Sequence, residues 1–287
     1  MIDETAREIQ DMRTHSASEV AIKAAHALIA LQDREYPSIE EFLVAIERNS
    51  KTLRQANPSH ASLQNTQRAI VADMEDAELS SLEEASTRLA DTIDATVNRV
   101  LQAKSAAAAN AEPLLADGDV LLTHDYSTTV LETIEQAIEA GKGLEVFVLE
   151  ARPRFLGRRM ARRLAELPDL EVTLIIDNAA GHFLRECDRV LVGMSCIVEE
   201  QLYNRIGTYG IATTAVHRNV PVTTVGAATK VIRGGFAFEN EHRTSIEVMR
   251  EPTDAFQIAN PAYDATPLSL IDEVVTDEGI DRNESSG

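Results

Sequence analysis

Polar side chains that could perform acid–base or anion-binding chemistry follow two apolar segments in the second half of the chain. Residues 172–176 are all apolar except Thr173 and end directly on Asp177. If this run is a strand, the carboxylate lies at the sheet edge where open α/β sheets bind ligands. Residues 204–210 follow as a polar, glycine-bearing turn that we expect to open a helix. A carboxylate at one strand end and the cation of Arg205 at a later one predict a pocket for a polar, anionic small molecule.

Two of these candidate site residues have an alternative interpretation. Asp177 could instead cap the helix expected from Ala179, because aspartate is a preferred N-cap residue. Lys230 follows the glycine-bearing segment 225–229, and its flexible ammonium suits a phosphate as a point charge. It could equally be a solvated surface lysine.

Basic residues cluster once, directly after the apolar run 144–149. Three interpretations compete for the cluster: ion pairs with this acidic chain, a subunit interface, and phosphate binding. Arg152 is the best placed for the pocket because it follows the strand immediately, whereas ion pairing is favoured for the arginines on the following helix. The cluster consists of Arg152, Arg154, Arg158, Arg159, Arg162 and Arg163.

The hydrophobic periodicity predicts two domains that position these residues. Residues 1–113 show helical spacing of apolar side chains, with Ser38 as an N-cap and one long pattern over 63–109. Residues 114–278 show short apolar runs alternating with helical patterns, which predicts a Rossmann-like doubly wound parallel sheet covered on both faces. Residues 279–287 are polar and predict a disordered tail.

Composition limits the partners and the chemistry. A formal charge of −20 over 287 residues disfavours direct nucleic-acid binding and anionic membranes. Cys187 and Cys196 are too few for a metal cluster or a disulfide framework, and nucleotide-binding glycine loops and zinc motifs are absent, so we expect no metal and no cofactor. Without a signal sequence or a membrane-spanning run we expect a cytoplasmic protein. Five lysines against 22 arginines, with abundant acid, are typical of adaptation to concentrated salt.

Several segments, taken in order, resemble one family. They resemble the α/β/δ regulatory subunits of initiation factor 2B and their relatives, the ribose-1,5-bisphosphate and methylthioribose-1-phosphate isomerases. The resemblance implies a homodimer or a higher homo-oligomer, an initiation-factor partner protein and a phosphorylated ligand. It also places Asp177 at a catalytic position and Asn204, Arg205 and Lys230 at ligand-contacting positions, with an arginine replacing a more usual lysine. The segments are residues 121–124, 149–154, 176–180, 204–208 and 260–267.

Three departures from the isomerase pattern favour a non-catalytic protein. Asp125 occupies the position of the catalytic cysteine, and a carboxylate differs from a thiol in pKa, reach and geometry. Residues 13–18 lack the glycines of a phosphate loop, and Asn57 replaces an arginine. We therefore expect a regulatory subunit that binds a sugar phosphate or nucleotide-like metabolite. The alternative is an active ribose-1,5-bisphosphate isomerase-like enzyme using Asp177 with Asp125 or a water.

Overall fold

The chain divides into two compact units, Met1–Gln102 and Ala103–Gly287. The computed structural model describes residues 1–11, 17–58, 60–232, 238–251 and 253–283, with only the backbone of residue 17. The division falls inside a long helix, Leu82–Ala111. The domain boundary predicted from the sequence, residue 113, lies just after the end of this helix.

The first unit is helical, because apolar side chains recur every three or four residues and pack into one core. Ser38 caps α3 by accepting a hydrogen bond from the Glu41 N–H at 3.3 Å. The long pattern predicted over 63–109 is two helices, because Ser81 accepts a hydrogen bond from the Glu84 N–H at 3.1 Å and starts a new helix. The helices are α1 (Ile2–Gln10), α2 (Ala17–Ala27), α3 (Ile39–Ala56), α4 (Ala61–Glu75) and α5 (Leu82–Ala111).

The second unit is built on a doubly wound sheet, as the alternation of strands and helices predicts. Its strand order is β3-β2-β1-β4-β7-β10-β11, and every pairing is parallel except that of β10 with β11. The first six strands have the order of a Rossmann fold. They are β1 (Val120–His124), β2 (Leu144–Leu149), β3 (Leu170–Ile175), β4 (Arg189–Gly193), β7 (Val222–Val225), β10 (Glu273–Thr276) and β11 (Gly279–Arg282).

Helices connect these strands and cover the sheet. Successive residues of a strand point to opposite faces, so Leu121 and Leu122 belong to two separate apolar clusters. Ser127 caps α6 by accepting a hydrogen bond from the Val130 N–H at 3.3 Å. The helices are α6 (Thr128–Glu139), α7 (Leu156–Leu164), α8 (Ala180–Phe183) and α9 (Thr208–Arg218).

Strand β3 is less buried than its sequence predicts. It lies at the edge of the sheet, with β2 as its neighbour among the described strands. Leu174 is 46% exposed, and Ile176, just after the strand, is 62% exposed. The prediction that both faces are covered is therefore wrong for this strand, because an apolar run carries no information on whether its strand is central or at an edge.

A second, four-stranded sheet was not predicted. Its order is β8-β5-β6-β9, formed by β5 (Cys196–Val198), β6 (Gln201–Arg205), β8 (Val231–Ile232) and β9 (Tyr263–Pro267). Asn204 and Arg205 end β6, so they belong to a strand rather than to the predicted turn. The turn itself is Ile206 and Gly207, and α9 begins directly after it.

The predicted disordered tail is also partly wrong. Residues Gly279–Arg282 form β11 because their backbone pairs with β10, and Asn283 donates to the Leu268 carbonyl at 2.9 Å. Residues 284–287 lie outside the described part of the chain. Among the helices that the structure describes, none is long and apolar enough to cross a bilayer.

Candidate functional site

A cleft in the second unit lies at the carboxyl ends of β1 and β2, where parallel sheets bind ligands. It holds about 340 Å³ of atom-free space, part of which is open to solvent. The residues that line it come from the ends of β1, β2 and β6 and from the loop that precedes β9. They are His124, Asp125, Ala151, Arg152, Pro153, Arg154, Leu156, Arg205, Ile206, Arg243, Asn260, Pro261 and Ala262.

The end of β1 supplies the carboxylate of the cleft. Asp125 follows the last residue of the strand and adopts φ 66°, in the left-handed region that residues other than glycine rarely occupy. Its carboxylate accepts a hydrogen bond from Arg205 Nε at 3.2 Å, and both side chains are largely buried. Strained backbone of this kind persists where the surrounding structure holds a residue for its function.

The loop after β2 is held in place by Asp177. Each of its carboxylate oxygens accepts one backbone N–H of that loop, from Ala151 at 2.8 Å and from Arg152 at 2.7 Å. Ala151 and Phe155 have φ 57° and 58°, so the loop contains two further residues in the left-handed region. Asp177 does not itself line the cleft among the residues described; it fixes the backbone of two residues that do.

Four arginine side chains converge on the cleft, although the whole protein is strongly acidic. Arg152 donates to the Val248 carbonyl at 3.1 Å, and Arg154 lies 3.9 Å from the Glu247 carboxylate. Arg243 pairs with Glu247 at 2.8 Å and with Glu241 at 2.9 Å. Among the described residues that line the cleft, these four arginines face one carboxylate, that of Asp125. The wall of the cleft is therefore positive and suits an anion.

The groups around the cleft raise the pKa of two of these cations, Arg205 and Arg243. The hydrogen bonds to Glu247 raise the pKa of Arg243, and the same bonds lower the pKa of the Glu247 carboxyl. Burial opposes the charge of Arg205, but the neighbouring Tyr263, Asp125 and Glu241 outweigh it, so the pKa of Arg205 is raised. Guanidinium groups held in this state are suited to bind phosphate through two parallel hydrogen bonds.

Arg154 differs from the other cleft arginines in its electrostatic surroundings. Burial, followed by the positive charges of Arg243 and Arg205, lowers its pKa, and Glu247 and Asp125 only partly compensate. An anion bound in the cleft would relieve this repulsion between cations. The site is therefore better matched to a bound anion than to an empty state.

The structure brings three of the six predicted site residues to the cleft: Asp125, Arg152 and Arg205. Asp177 lies behind it. Asn204 and Lys230 are buried, and neither is among the described residues that line the cleft. Asn204 donates a hydrogen bond to Thr208 Oγ1 at 3.3 Å. Lys230 donates to the Met194 carbonyl at 2.9 Å. Their role in ligand contact stays a prediction.

The other arginines of the basic cluster mostly form surface contacts, as the ion-pair interpretation holds. Arg158 pairs with Glu150 at 2.7 Å and Arg163 with Glu166 at 2.8 Å. The Arg159 guanidinium lies 4.4 Å from the centre of the Tyr126 ring. Arg154 is the exception within the cluster, since it lines the cleft.

Sequence reasoning missed three residues that line the cleft. His124 stands next to Asp125, and its position as the last residue of an apolar strand was an available signal. Arg243 and Asn260 lie in a long loop where no periodicity marks them, and Asn260 binds Glu247 at 3.1 Å beside Arg243. Only the folded second sheet brings this loop over β1 and β2.

Some predicted features cannot be placed. Residues 12–16, which hold most of the segment expected to lack a phosphate loop, and Ser59 lie outside the described residues. Within the part of the chain that is described, no group of His, Cys, Asp and Glu side chains is arranged to hold a metal ion.

Comparison with known proteins places this fold and cleft in a family. A sequence model of the Initiation factor 2 subunit family matches residues 13–282. The chain belongs to the Initiation factor 2 subunit family. It is 34% identical to a ribose 1,5-bisphosphate isomerase of Haloferax volcanii over 96% of this chain and 87% of that protein. It is 30% identical to a methylthioribose-1-phosphate isomerase of Albidiferax ferrireducens over 96% of this chain and 84% of that protein.

A solved structure supports the same family assignment. The structure described as the translation initiation factor eIF-2B of Pyrococcus horikoshii OT3 has a TM-score of 0.82. It is 26% identical and covers 99% of this chain and 97% of that one. The helical first unit and the doubly wound second unit are thus the fold of this family.

The relatives overturn the expectation of a non-catalytic regulatory subunit. Besides the Haloferax protein, ribose 1,5-bisphosphate isomerases of five other organisms are 28 to 34% identical over nearly the full chain. Asp125 in place of the cysteine does not by itself make the protein non-catalytic, because a carboxylate can also take a proton. A role in translation, the homo-oligomer, the partner protein and the cytoplasmic location stay predictions.

Proposed function

We propose that this protein is an aldose–ketose isomerase that acts on a phosphorylated ribose, with ribose 1,5-bisphosphate as its substrate. The names of the most similar relatives support the reaction class. The observation that carries the proposal is the cleft itself, in which the Asp125 carboxylate stands among four arginines at the sheet edge. Cations bind the phosphates, and the carboxylate is left to handle a proton.

The arrangement of the arginines favours a substrate with two phosphates. Arg152 and Arg154 come from the loop after β2, whereas Arg205 and Arg243 come from β6 and from the loop before β9. Arg154 and Arg243 both approach Glu247, so the four guanidinium groups form one positive wall. The charge of this wall favours a ligand with two phosphates over one with a single phosphate.

Isomerisation requires a base that moves a proton between adjacent sugar carbons. Asp125 lines the cleft and is oriented by Arg205, so its carboxylate is the base of this proposal. Asp177 acts as a positioning residue, because its carboxylate binds the backbone of Ala151 and Arg152. This assignment keeps a role for Asp177 and gives the proton chemistry to Asp125, which lines the cleft.

The test is an isomerase assay with ribose 1,5-bisphosphate, detecting ribulose 1,5-bisphosphate, on the natural chain and on Asp125→Asn. We expect turnover by the natural chain and a loss of about 100-fold or more in Asp125→Asn, since general-base catalysis contributes about 10²–10⁴-fold. Asp94→Asn, at an exposed position on α5, is the matched control and should keep full activity.

Two further arms define the substrate. Methylthioribose 1-phosphate, with one phosphate, should be converted at least tenfold less efficiently than the bisphosphate, in line with the loss of charge-assisted hydrogen bonds. Asp125→Cys restores the thiol of the isomerase pattern and should retain part of the activity that Asp125→Asn loses. No turnover of either sugar by the natural chain would refute the proposal, as would full activity in Asp125→Asn.

A further inference from the structure

His124 is a buried titratable residue at the wall of the cleft for which the fold gives no other use. Its side chain is 3% exposed, yet it lines the cleft beside Asp125. Its Nδ1 atom is enclosed and has no hydrogen-bond partner among the described residues. Most buried polar atoms are paired, and one that is not calls for an explanation such as a bound ligand.

The backbone of Gly207 packs against one edge of the imidazole. Gly207, the N-cap of α9, has φ 111°, and a Cβ built on it would lie 3.4 Å from both Cε1 and Nε2 of His124. A side chain at this position would therefore touch the edge of the ring that carries Nε2. The ring is held closely between β1 and the start of α9.

The charged groups around the ring determine its protonation state. Burial lowers the pKa of His124, and the positive charge of Arg205 adds to this effect. The carboxylates of Asp125, Asp177 and Asp264 oppose it without overcoming it. An imidazole with a lowered pKa is neutral at pH 7 and can both accept and donate a proton.

We propose that His124 is a catalytic residue of the isomerase reaction, which carries the proton of a sugar hydroxyl while Asp125 carries the proton of a sugar carbon. This inference rests on the proposed function of the cleft. Its own evidence is the unpartnered Nδ1 of a buried side chain that lines the cleft and the neighbouring carboxylate of Asp125. A neutral imidazole beside a helix N-terminus serves other isomerase chemistry in the same way.

The proton balance of the reaction calls for two carriers. Asp125 takes the hydrogen from C2, and the electron pair forms the C1=C2 bond as the ring bond between C1 and O4 breaks. O4 takes up a proton. The electrons of the O2–H bond then form the carbonyl at C2, while C1 takes the proton held by Asp125. One proton has moved from C2 to C1 and another from O2 to O4. The imidazole gives a proton to O4 and recovers one from O2, so it begins and ends neutral.

The kinetic test compares His124→Gln with the natural chain on ribose 1,5-bisphosphate. We expect kcat to fall about 100-fold, within the range of acid–base catalysis, while KM changes less than threefold. His182→Gln, at an exposed histidine on α8, is the control and should keep its kcat. Equal kcat values for His124→Gln and the natural chain would overturn the inference, and so would a rise in KM with kcat unchanged.

A second measurement on the natural chain covers the case in which His124→Gln does not fold. In ¹⁵N NMR spectra of the natural chain, saturating ribulose 1,5-bisphosphate should shift the Nδ1 or Nε2 resonance of His124. No shift at saturation would refute the contact. Absence of turnover by the natural chain would instead refute the proposed function, whereas the NMR arm would still report whether the imidazole touches a sugar bisphosphate.

Discussion

Two regions of the second unit hold buried or half-buried cations, and they differ in what faces each cation. In the cleft, Arg205 faces Asp125 and Arg243 faces Glu241 and Glu247. Lys230, which does not line the cleft, donates to the carbonyl of Met194, and the ionisable group that influences it is the Cys196 thiol. From the sequence, Arg205 and Lys230 were both expected at ligand-contacting positions, with a solvated surface position as the alternative for Lys230.

The difference in partners changes the charge that each region can offer. The pKa values of Arg205 and Arg243 are raised, so these groups stay charged. Burial lowers the pKa of Lys230 to about 8, because no carboxylate offsets the loss of water. A buried cation is thus useful for binding an anion only where carboxylates hold it charged and a cleft exposes it. The cleft meets both conditions, whereas Lys230 is held less strongly in its charged form and does not line the cleft.

Among the substitutions that compare the two regions, the largest effect on activity is expected for Asp177→Asn, which tests whether the cleft depends on the carboxylate that holds the loop after β2. The amide keeps one acceptor and loses the other, so one charge-assisted hydrogen bond of about 1.5–3 kcal/mol to the loop is lost. This corresponds to a loss of roughly 10- to 150-fold in kcat/KM if the loop geometry is required for catalysis. Steady-state kinetics with ribose 1,5-bisphosphate give the value.

Asp188→Asn is the matched control for this variant. Asp188 also accepts a backbone N–H, that of Val120 at 2.9 Å, but at the opposite end of the sheet. We expect a comparable fall in Tm for the two variants and a loss of activity only in Asp177→Asn. Equal losses of activity would show that Asp177 stabilises the fold without positioning the cleft.

A smaller effect is expected for Arg152→Gln, which removes one cation that faces the cleft. Its guanidinium contacts a backbone carbonyl, so the substitution leaves no carboxylate unpaired. KM should rise about 10- to 30-fold, in the lower part of the range for one charge-assisted hydrogen bond because the glutamine amide can still donate to a phosphate, with kcat within threefold. Arg159→Gln removes a cation that lies over the Tyr126 ring outside the cleft and should leave KM unchanged. A rise in KM in both variants would point to the overall positive charge of residues 152–163 instead.

Much of the doubly wound sheet could be predicted, because its central strands are short apolar runs separated by capped helices. Strand β2 and helix α6 lie where periodicity placed them, and Asp177 follows β3 as expected. The edge position of β3 could not be predicted, since a sequence of apolar residues does not specify how many neighbours its strand has.

The second sheet escaped prediction for a different reason. Strand β6 pairs with β9, whose residues lie about 60 positions further along the chain. Strands β6 and β9 are each only five residues long, so neither has a hydrophobic periodicity long enough to be recognised in the sequence. Arg243 and Asn260 lie between these strands, and their place in the cleft follows from a long-range pairing. The chemistry of a site assembled in this way is visible only once the fold is known.

The smallest effect on activity, and the clearest test of the contrast between the two regions, is expected for Lys230→Met. KM for ribose 1,5-bisphosphate should change less than twofold because the ammonium does not line the cleft.

The effect of Lys230→Met on stability should depend on pH. Between about pH 8 and pH 10.5 the unfolded chain binds a proton at this lysine that the folded chain does not. The free energy of unfolding of the natural chain therefore rises with pH in this window relative to the variant. The advantage of Lys230→Met below pH 8, at most about 3 kcal/mol, should disappear towards pH 10.5. Urea titrations at pH 7.5, 9 and 10.5 measure it, with the exposed Lys51→Met as control. A difference that is constant across these pH values would show that Lys230 is as well compensated as the arginines of the cleft.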